Sequence, residues 1–476
     1  MESTKKSTYI HLAVMLACFV GIGMLPPFGQ ITPVGMKILG VFVGTLYGWM
    51  FIPGFAIPSI LGMVFLGLTG YTTVTGAFMA GFGVYTVVMM LMTFPFVALL
   101  NEINLTGALA NWFLARKFVN GHPWRIIALL FSAAWILAAF ADGLAAILLF
   151  WSIIYKIADE VGWKRHSKEV GYMITGNIFF SGMGAYLFPF KASAIMFLGG
   201  YTAVMGPVPQ MNYYFILIFT AILFLLFYLL VGKLVGINVS VLTVDLSQYA
   251  TSTTWNKKEK WGMFFTVFFI LFLCIPVWLP ATIPFVAAWK NLGIIGASVI
   301  ILTMAHFIQV DGKSLCPRPF EMFSKGINWD LILMIAATMP IGAALRSDAG
   351  GIITTLLAWL MAIIGNMHWI VFTVICAIAL GLLTQVSHNL IISAVLFPVF
   401  APVCADLGGD PVLWVMIMFL TINAAFTTPA ASGWAAMLHG NTEWMSVKTA
   451  YGFGFSTLVV VWLAMFTMMP VYLLIF

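Results

Sequence analysis

The sequence predicts an all-α integral membrane protein with about eleven transmembrane helices, two opposed re-entrant hairpins and inverted repeats. Hydrophobic residues make up 62% of the 476 residues and charged residues only 8%, about a third of the charge density of soluble domains. Stretches such as 216–231 are apolar on every side, which excludes the alternating strands of a membrane β-barrel. Two further apolar stretches have lengths that fit neither one crossing nor two.

Apolar runs of about 20 residues, the length that crosses a bilayer as a helix, recur along the whole chain. The first run follows Lys5 and Lys6 and resembles a signal peptide. No small-x-small cleavage site precedes Pro26, so we interpret this run as a retained span. The predicted spans lie near 9–25, 33–51, 54–70, 84–101, 170–206, 212–232, 261–279, 291–310, 328–345, 411–440 and 450–475.

The stretches 126–155 and 368–403 are each predicted to enter the membrane and turn back. Basic residues, among them Arg125 and Lys156, flank the first stretch on both sides, so the positive-inside rule places both of its ends in the cytoplasm. If the second stretch enters from outside, the N-terminus is cytoplasmic and 17 of the 21 basic residues lie inside. The exceptions are Lys37, Lys191, Lys290 and Arg346. Backbone at membrane depth is tolerated only where protein buries it or where it lines a wet cavity, so two hairpins predict an internal polar site.

An offset of 247 residues aligns the two halves of the chain in the same order of parts. Each half has a span, an amphipathic segment, an apolar hairpin and a span interrupted by Gly and Pro. Because the hairpins are assigned to opposite faces, the repeats are inverted, as in many secondary transporters. The predicted segments are N-terminal scaffold helices 1–79, a first repeat 80–232, a cytoplasmic linker 233–260, scaffold helices 261–325, and a second repeat with the last span 326–476.

Two charged residues are predicted at membrane depth in the first half. Asp142 is the only acid deep inside an apolar segment, and Lys191 is the only base deep inside a span. A charge at that depth is costly, so a partner or a function is expected. Asp142 is predicted to bind a cation or exchange a proton; alternatively, it caps the returning helix of the hairpin. Pro189 breaks the helix next to Lys191, which is predicted to hold an anionic substrate; alternatively, Lys191 forms an ion pair with Asp142.

The second half has polar residues at the corresponding positions. Five polar side chains cluster at the tip of 368–403, where Asn389 offers both a carbonyl and an amide to a ligand. His388 is predicted to donate to an anion or to titrate; alternatively, it is a neutral ring bonded to backbone. The run Thr427-Thr428-Pro429-Ala430-Ala431-Ser432-Gly433-Trp434 predicts a second broken helix with freed carbonyl groups.

No enzyme motif is present: the chain has no His-Glu-x-x-His, no P-loop and no Gly-x-Ser-x-Gly. We therefore expect a transporter rather than an enzyme, with no cofactor beyond a coupling ion. Two rival hypotheses remain open. One is an intramembrane enzyme acting on a lipid-linked substrate, with Asp142 and His388 as acid and base. The other is a passive channel, which concentrative uptake would exclude.

Two segments resemble the divalent anion:sodium symporter family of the ion transporter superfamily. The run Gly326-Ile327-Asn328-Trp329-Asp330-Leu331-Ile332-Leu333 is similar to the opening of that family's second repeat, and Leu105-Thr106-Gly107-Ala108-Leu109 to the matching part of the first. The resemblance in the order of parts extends over nearly the whole chain. It implies a homodimer with scaffold and transport domains, an elevator motion, and Ser-Asn-Thr at each hairpin tip holding sodium and a substrate carboxylate.

The sequence departs from that family's motifs at the tips and at the breaks. Ala141-Asp142-Gly143 and His388-Asn389-Leu390 stand where Ser-Asn-Thr is expected. Pro189-Phe190-Lys191 and Ser432-Gly433-Trp434 stand where Thr-Pro-Pro is expected. The coupling ion is therefore left as sodium or a proton.

The resulting expectation is a secondary active transporter of small organic anions, di- or tricarboxylates, in a bacterial inner membrane. An anion exchanger or uniporter of the same fold is the alternative. The predicted substrate-binding residues are Asp142, Gly143, Pro189, Lys191, His388, Asn389, Ser432 and Gly433. The predicted cation-coupling residues are Asp142, Gly184, Asn389 and Ala431.

Overall fold

The computed structural model has an all-α architecture, as the sequence predicts. It describes residues 2–140, 143–189, 191–250, 252, 254–280, 282–352, 354–355, 358, 365, 367–387, 389–429 and 431–476. Within these ranges the strands are two-residue segments, β1 (Gln309–Val310) and β2 (Lys313–Ser314), paired antiparallel. All other regular secondary structure in these ranges is helical.

The helices of the N-terminal half are α1 (Glu2–Gly21), α2 (Pro33–Phe51), α3 (Ala56–Leu66), α4 (Val74–Phe82), α5 (Tyr85–Glu102), α6 (Leu105–Leu114), α7 (Pro123–Phe140), α8 (Gly143–Glu160), α9 (Lys168–Gly184), α10 (Ala192–Met205) and α11 (Gln210–Leu234). The helices of the C-terminal half are α12 (Lys257–Trp278), α13 (Pro284–Phe307), α14 (Pro319–Gly326), α15 (Trp329–Arg346), α16 (Trp369–Leu383), α17 (Asn389–Asp406), α18 (Pro411–Asn423), α19 (Gly433–Gly440) and α20 (Val447–Ile475).

Five helices in the described ranges are individually long and apolar enough to cross a membrane, and up to seven if each of two bent pairs forms one span. These five are α2, α7, α11, α13 and α20. Fewer helices than the predicted spans pass this test, in part because two predicted spans each contain two shorter helices. The region 170–206 contains α9 and α10, and the region 411–440 contains α18 and α19.

The structure gives helix boundaries inside both predicted hairpins and at both predicted helix breaks, and the re-entrant character of the hairpins stays a prediction. The first hairpin consists of α7 and α8, and the second hairpin of α16 and α17. The first break, residues 185–191, separates α9 from α10, and the second break, residues 424–432, separates α18 from α19. The sides from which the hairpins enter, and the inversion of the repeats, stay predictions.

The chain divides into two compact units, which are described separately. The first contains Met1–Val88, Ile195–Tyr213 and Asn328–Ile422, and the second contains Met89–Ala194, Tyr214–Ile327 and Asn423–Phe476. The first hairpin and both breaks therefore belong to the second unit, whereas the second hairpin belongs to the first unit. The predicted division into scaffold and transport domains stays a prediction.

Helix α9 is the centre of the second unit. Every residue from Val170 to Gly184 is buried, as expected for a helix that is covered on all sides. Helices α7, α8 and α20 pack against it. The hydroxyl of Tyr172 donates to the carbonyl of Tyr228 at 2.9 Å, and the hydroxyl of Tyr228 donates back to the carbonyl of Tyr172 at 3.1 Å. These bonds satisfy two buried hydroxyls and join α9 to α11.

The end of α8 remote from the hairpin tip is attached to the loop between α19 and α20. The ring of Trp444 stacks on Tyr155 with centroids 4.5 Å apart, and the guanidinium of Arg165 lies 4.6 Å from the Trp444 centroid. The amide of Asn441 donates to the Tyr155 hydroxyl at 2.7 Å. A stacked, hydrogen-bonded contact of this kind holds the far end of the hairpin in place.

The polar linker that follows α11 is attached to the same end of the hairpin. The carboxylate of Glu160, the last residue of α8, accepts hydrogen bonds from the Gln248 amide and from the Tyr249 hydroxyl. Lys168 at the start of α9 donates to the carbonyl of Gly236 at 2.5 Å. The first hairpin is thus attached at its far end by two separate segments of the second unit.

Candidate functional site

Gly143, the first residue of α8, lies against the first break and against the start of α19 in the second unit. Ala141 and Asp142, which form the tip in the sequence, lie outside the described residues, and α8 begins at Gly143. A Cβ atom built on Gly143 would lie 3.5 Å from the Cβ of Ala185 in the first break and 3.6 Å from Cη2 of Trp434. Three segments that the sequence analysis selected independently therefore meet at Gly143.

The first break begins where α9 makes its closest approach to α7. A Cβ atom on Gly184 would lie 2.1 Å from the carbonyl oxygen of Trp135, so only glycine fits this position without a backbone shift. The carbonyl of Gly184, a predicted cation ligand, accepts from the amide of Leu187 at 3.0 Å and keeps a second lone pair for another partner. Pro189 is partly buried in the turn that follows, and Phe190 lies outside the described residues.

Lys191 stabilises the end of the first hairpin's entering helix. Its Nζ donates to the carbonyl oxygen of Ala138 at 2.5 Å, and Ala138 lies in the last turn of α7. The last carbonyl groups of a helix lack intrahelical donors and carry the negative end of the helix dipole, so an ammonium group there is favourable. The predicted ion pair with Asp142 falls outside the described residues. The side chain of Lys191 is only partly buried.

The second break is held by the residue that caps α19. The hydroxyl of Ser432 donates to the carbonyl of Ala425 at 2.7 Å and accepts from the amide of Ala435 at 3.0 Å. Ala431, a predicted cation ligand, packs in a buried cluster with Ala425 and Ala435 and donates its own amide to Thr428. Ser432 therefore has a structural role as the N-cap of α19.

Gly433 differs from the other site glycines because it faces open space. A Cβ atom built there would meet nothing within 4 Å, and the residue is exposed. It is the first residue of α19, whose N-terminal amides carry the positive end of the helix dipole. Gly143 has the same place at the start of α8. Two helix N-termini thus lie on the segments that meet at the hairpin tip, an arrangement that favours a negatively charged ligand.

A hydrogen bond joins the two breaks. The hydroxyl of Tyr186, in the first break, donates to Oδ1 of Asn423 at the end of α18 at 2.7 Å. Tyr186 is 2% exposed and Asn423 is 3% exposed, so this bond forms away from bulk water. It connects the first break to the residue that directly precedes the second break.

The sequence analysis selects neither Tyr186 nor Asn423. The available signal is their position, because both are hydrogen-bonding side chains within six residues of a Gly or Pro that interrupts an apolar helix. Asn177 on α9 was also missed: it is 1% exposed, and neither its Oδ1 nor its Nδ2 has a hydrogen-bond partner in the described part of the chain.

The tip of the second hairpin belongs to the first unit. Asn389 is the first residue of α17, is 3% exposed, and accepts from the amide of Leu390 at 2.9 Å. Thr384 donates to the carbonyl of Ile422 at 3.0 Å, and Gln385 donates to Gly381 at 2.9 Å. His388 lies outside the described residues. The tip therefore holds buried amide groups, and its approach to the first hairpin stays a prediction.

Comparison with known proteins gives the fold. No protein-family model matches the sequence. The chain is similar in structure to the YdaH transporter of Alcanivorax borkumensis, whose crystal structure is described as revealing an unusual topology. The TM-score is 0.56 at 12% sequence identity, and the likeness covers 84% of this chain and 87% of that protein.

A curated protein of Synechocystis sp., described as an uncharacterized transporter, is 23% identical over 129 residues. The match covers 26% of this chain and 20% of that relative, so the chain spans about a fifth of its length. Together with the apolar helices, these likenesses confirm a multi-pass integral membrane protein with a transporter fold. Membership in the divalent anion:sodium symporter family stays a prediction.

Proposed function

We propose that this protein is a secondary active transporter of small organic anions, di- or tricarboxylates, driven by sodium or protons. The observation that carries the proposal is the meeting of the first hairpin with both broken helices at Gly143, where Ala185 and Trp434 lie within contact distance of a built Cβ. Broken helices at membrane depth are the usual sites of substrate and ion binding in transporters. The likeness in fold to a transporter supports the same function.

The charge of the site favours an anion. Lys191 supplies a full positive charge, and the starts of α8 and α19 supply partial ones. A carboxylate 4 Å from an ammonium group gains about 4 kcal/mol at an effective dielectric constant of about 20. The hydrogen bond from Lys191 to the Ala138 carbonyl is worth about 1.5–3 kcal/mol, so a carboxylate competes successfully for the ammonium or shares it. Lys191 thus binds the carbonyl of Ala138 when the site is empty and the substrate carboxylate when the site is occupied.

The coupling ion is assigned to the residues predicted for it. In the second unit, Asp142 supplies side-chain oxygens, and Gly184 and Ala431 supply backbone carbonyls beside the two breaks. Asn389, in the first unit, stays a predicted ligand. Either sodium or a proton satisfies this set, because a carboxylate binds both. We propose that the transporter works as a homodimer in the inner membrane with an elevator motion, and that symport rather than exchange is its mode.

The proposal is tested in proteoliposomes with radiolabelled succinate and citrate, under an imposed sodium gradient and, separately, a proton gradient. Accumulation above the equilibrium level under one gradient is the expected result. Uptake that requires a preloaded internal anion would instead identify the exchanger. If neither gradient drives uptake of any carboxylate, the assignment of the substrate is wrong.

Three variants test the residues. Lys191→Met keeps the length of the side chain and removes its charge, and it should lower substrate affinity by at least about tenfold, since tenfold corresponds to only about 1.4 kcal/mol. Lys448→Met removes an exposed charge in the first turn of α20 and serves as the matched control. Asp142→Asn should abolish the effect of the driving gradient. An unchanged gradient dependence in that variant would contradict the coupling role of Asp142.

A further inference from the structure

The indole of Trp434 fills the space between two glycines of the second unit. A Cβ atom built on Gly143 would lie 3.6 Å from Cη2 and 3.8 Å from Cζ2 of the ring. A Cβ atom built on Gly182, near the end of α9, would lie 3.9 Å from Cδ1 of the same ring. The benzene edge of the indole therefore faces the first hairpin, and its pyrrole edge faces α9. The ring spans the distance between these two segments.

The ring is held in this position by packing between the start of α8 and the end of α9. The helix that carries it, α19, is fixed at its first turn by Ser432, whose hydroxyl accepts from the amide of Ala435 at 3.0 Å and donates to the carbonyl of Ala425 at 2.7 Å. Trp434 is partly exposed, so one side of the ring remains open to a ligand. A large, rigid side chain held this way limits the size of what lies beside it.

We propose that Trp434 is a specificity-determining residue that sets the upper size of the transported anion. This inference rests on the proposed function. The carboxylate of the substrate lies toward Lys191 and the helix ends, and the body of the substrate extends toward the indole. A compact anion fits beside the ring, whereas a bulky one collides with it.

The first experiment measures uptake of a compact and a bulky carboxylate, succinate and citrate, by wild type, Trp434→Ala and Trp112→Ala. Trp112 is an exposed tryptophan on α6 of the same unit and serves as the control for loss of an indole. The ratio of kcat/KM for citrate to that for succinate should rise roughly tenfold in Trp434→Ala, the effect of about 1.4 kcal/mol. It should stay constant in Trp112→Ala. An equal fall of both rates in Trp434→Ala, with an unchanged ratio, would refute the size limit.

A second experiment needs no transport. The Gly143→Cys variant places a thiol beside the indole, and the contacts of the added Cβ are ordinary at 3.5–3.8 Å, so the fold accepts it. The new thiol is labelled with a small methanethiosulfonate and with a bulky maleimide, and the labelling of the chain without Gly143→Cys is subtracted. Adding Trp434→Ala should accelerate the bulky reagent by roughly tenfold more than the small one. Equal acceleration of both reagents would overturn the inference, whereas absent carboxylate uptake with unequal acceleration would overturn only the proposed substrate class.

Discussion

Gly184 provides the sharpest test of the packing that creates the first break. In Gly184→Ala the new methyl group would lie 2.1 Å from the carbonyl oxygen of Trp135 and 2.8 Å from that residue's Cα and carbonyl carbon. The clash is with backbone, so no rotamer relieves it, and α7 and α9 must separate by about 1 Å to restore contact at van der Waals distance. Overpacking of this kind costs about 1–3 kcal/mol or more, which exceeds the gain of about 1 kcal/mol from replacing glycine by alanine in a helix.

The measurement is thermal unfolding of the purified protein in detergent, with the yield of monodisperse protein as a second readout. Gly184→Ala should lower the midpoint by several degrees, since about 1 kcal/mol corresponds to roughly 2–4 °C in domains of 150–250 residues. Gly182→Ala, one half-turn earlier on α9, is the matched control. Its methyl group would meet Phe426 at an ordinary 3.4 Å, so its midpoint should stay near that of wild type. A Gly184→Ala protein as stable as Gly182→Ala would refute the reasoning.

Three further predictions concern other parts of the molecule. Gly342→Ala in α15 should raise stability by roughly 0.5–1 kcal/mol in thermal unfolding, because a Cβ atom there meets nothing within 4 Å and glycine is unfavourable in a helix; a fall would contradict the packing. Asn177→Leu should also raise the midpoint of thermal unfolding, because it removes a buried amide that has no partner in the described chain; the expected gain in stability is about 1–3 kcal/mol. Ser298→Ala is the control and should not raise the midpoint, because the Ser298 hydroxyl donates to a carbonyl at 3.0 Å. The pKa of Glu160 lies below its ordinary value because the carboxylate accepts hydrogen bonds from Tyr249 and from the neighbouring amide. The attachment of the linker to α8 is therefore present at neutral pH and lost as the pH falls through that lowered pKa. Hydrogen exchange of the linker amides, corrected for intrinsic rates, should rise only at a pH below the ordinary pKa of a glutamate.

The positions of the helices could be predicted well where the signal is local. The span 33–51 coincides with α2, because Thr32 caps the helix and Pro33 fits its first turn. The sequence attributes the first break to Pro189, yet α9 ends at Gly184, five residues before the proline and against the backbone of Trp135. That contact joins residues of two different helices, so the sequence near Gly184 does not predict it.

The sequence predicted which segments form the candidate site, but it did not predict which atoms interact there. The sequence selected the segments that meet at Gly143, because a break in an apolar run is visible in composition. It did not reveal that Lys191 donates to the carbonyl of Ala138, since every residue has a carbonyl and only the fold decides which one is near. It also passed over Tyr186, because an aromatic residue in an apolar span is ordinary until its hydrogen bond is known.

The stack of Trp444 on Tyr155, together with the bonds to Glu160, fixes the end of α8 that lies farthest from Gly143. Helix α8 has 18 residues and is therefore about 27 Å long. Rotation of such a rod by about 10° around its base carries the opposite end through about 5 Å, the diameter of a small carboxylate, while the base itself barely moves. A tilt of this size would move Gly143 away from Ala185 and Trp434 and leave the contacts of Tyr155 and Glu160 in place.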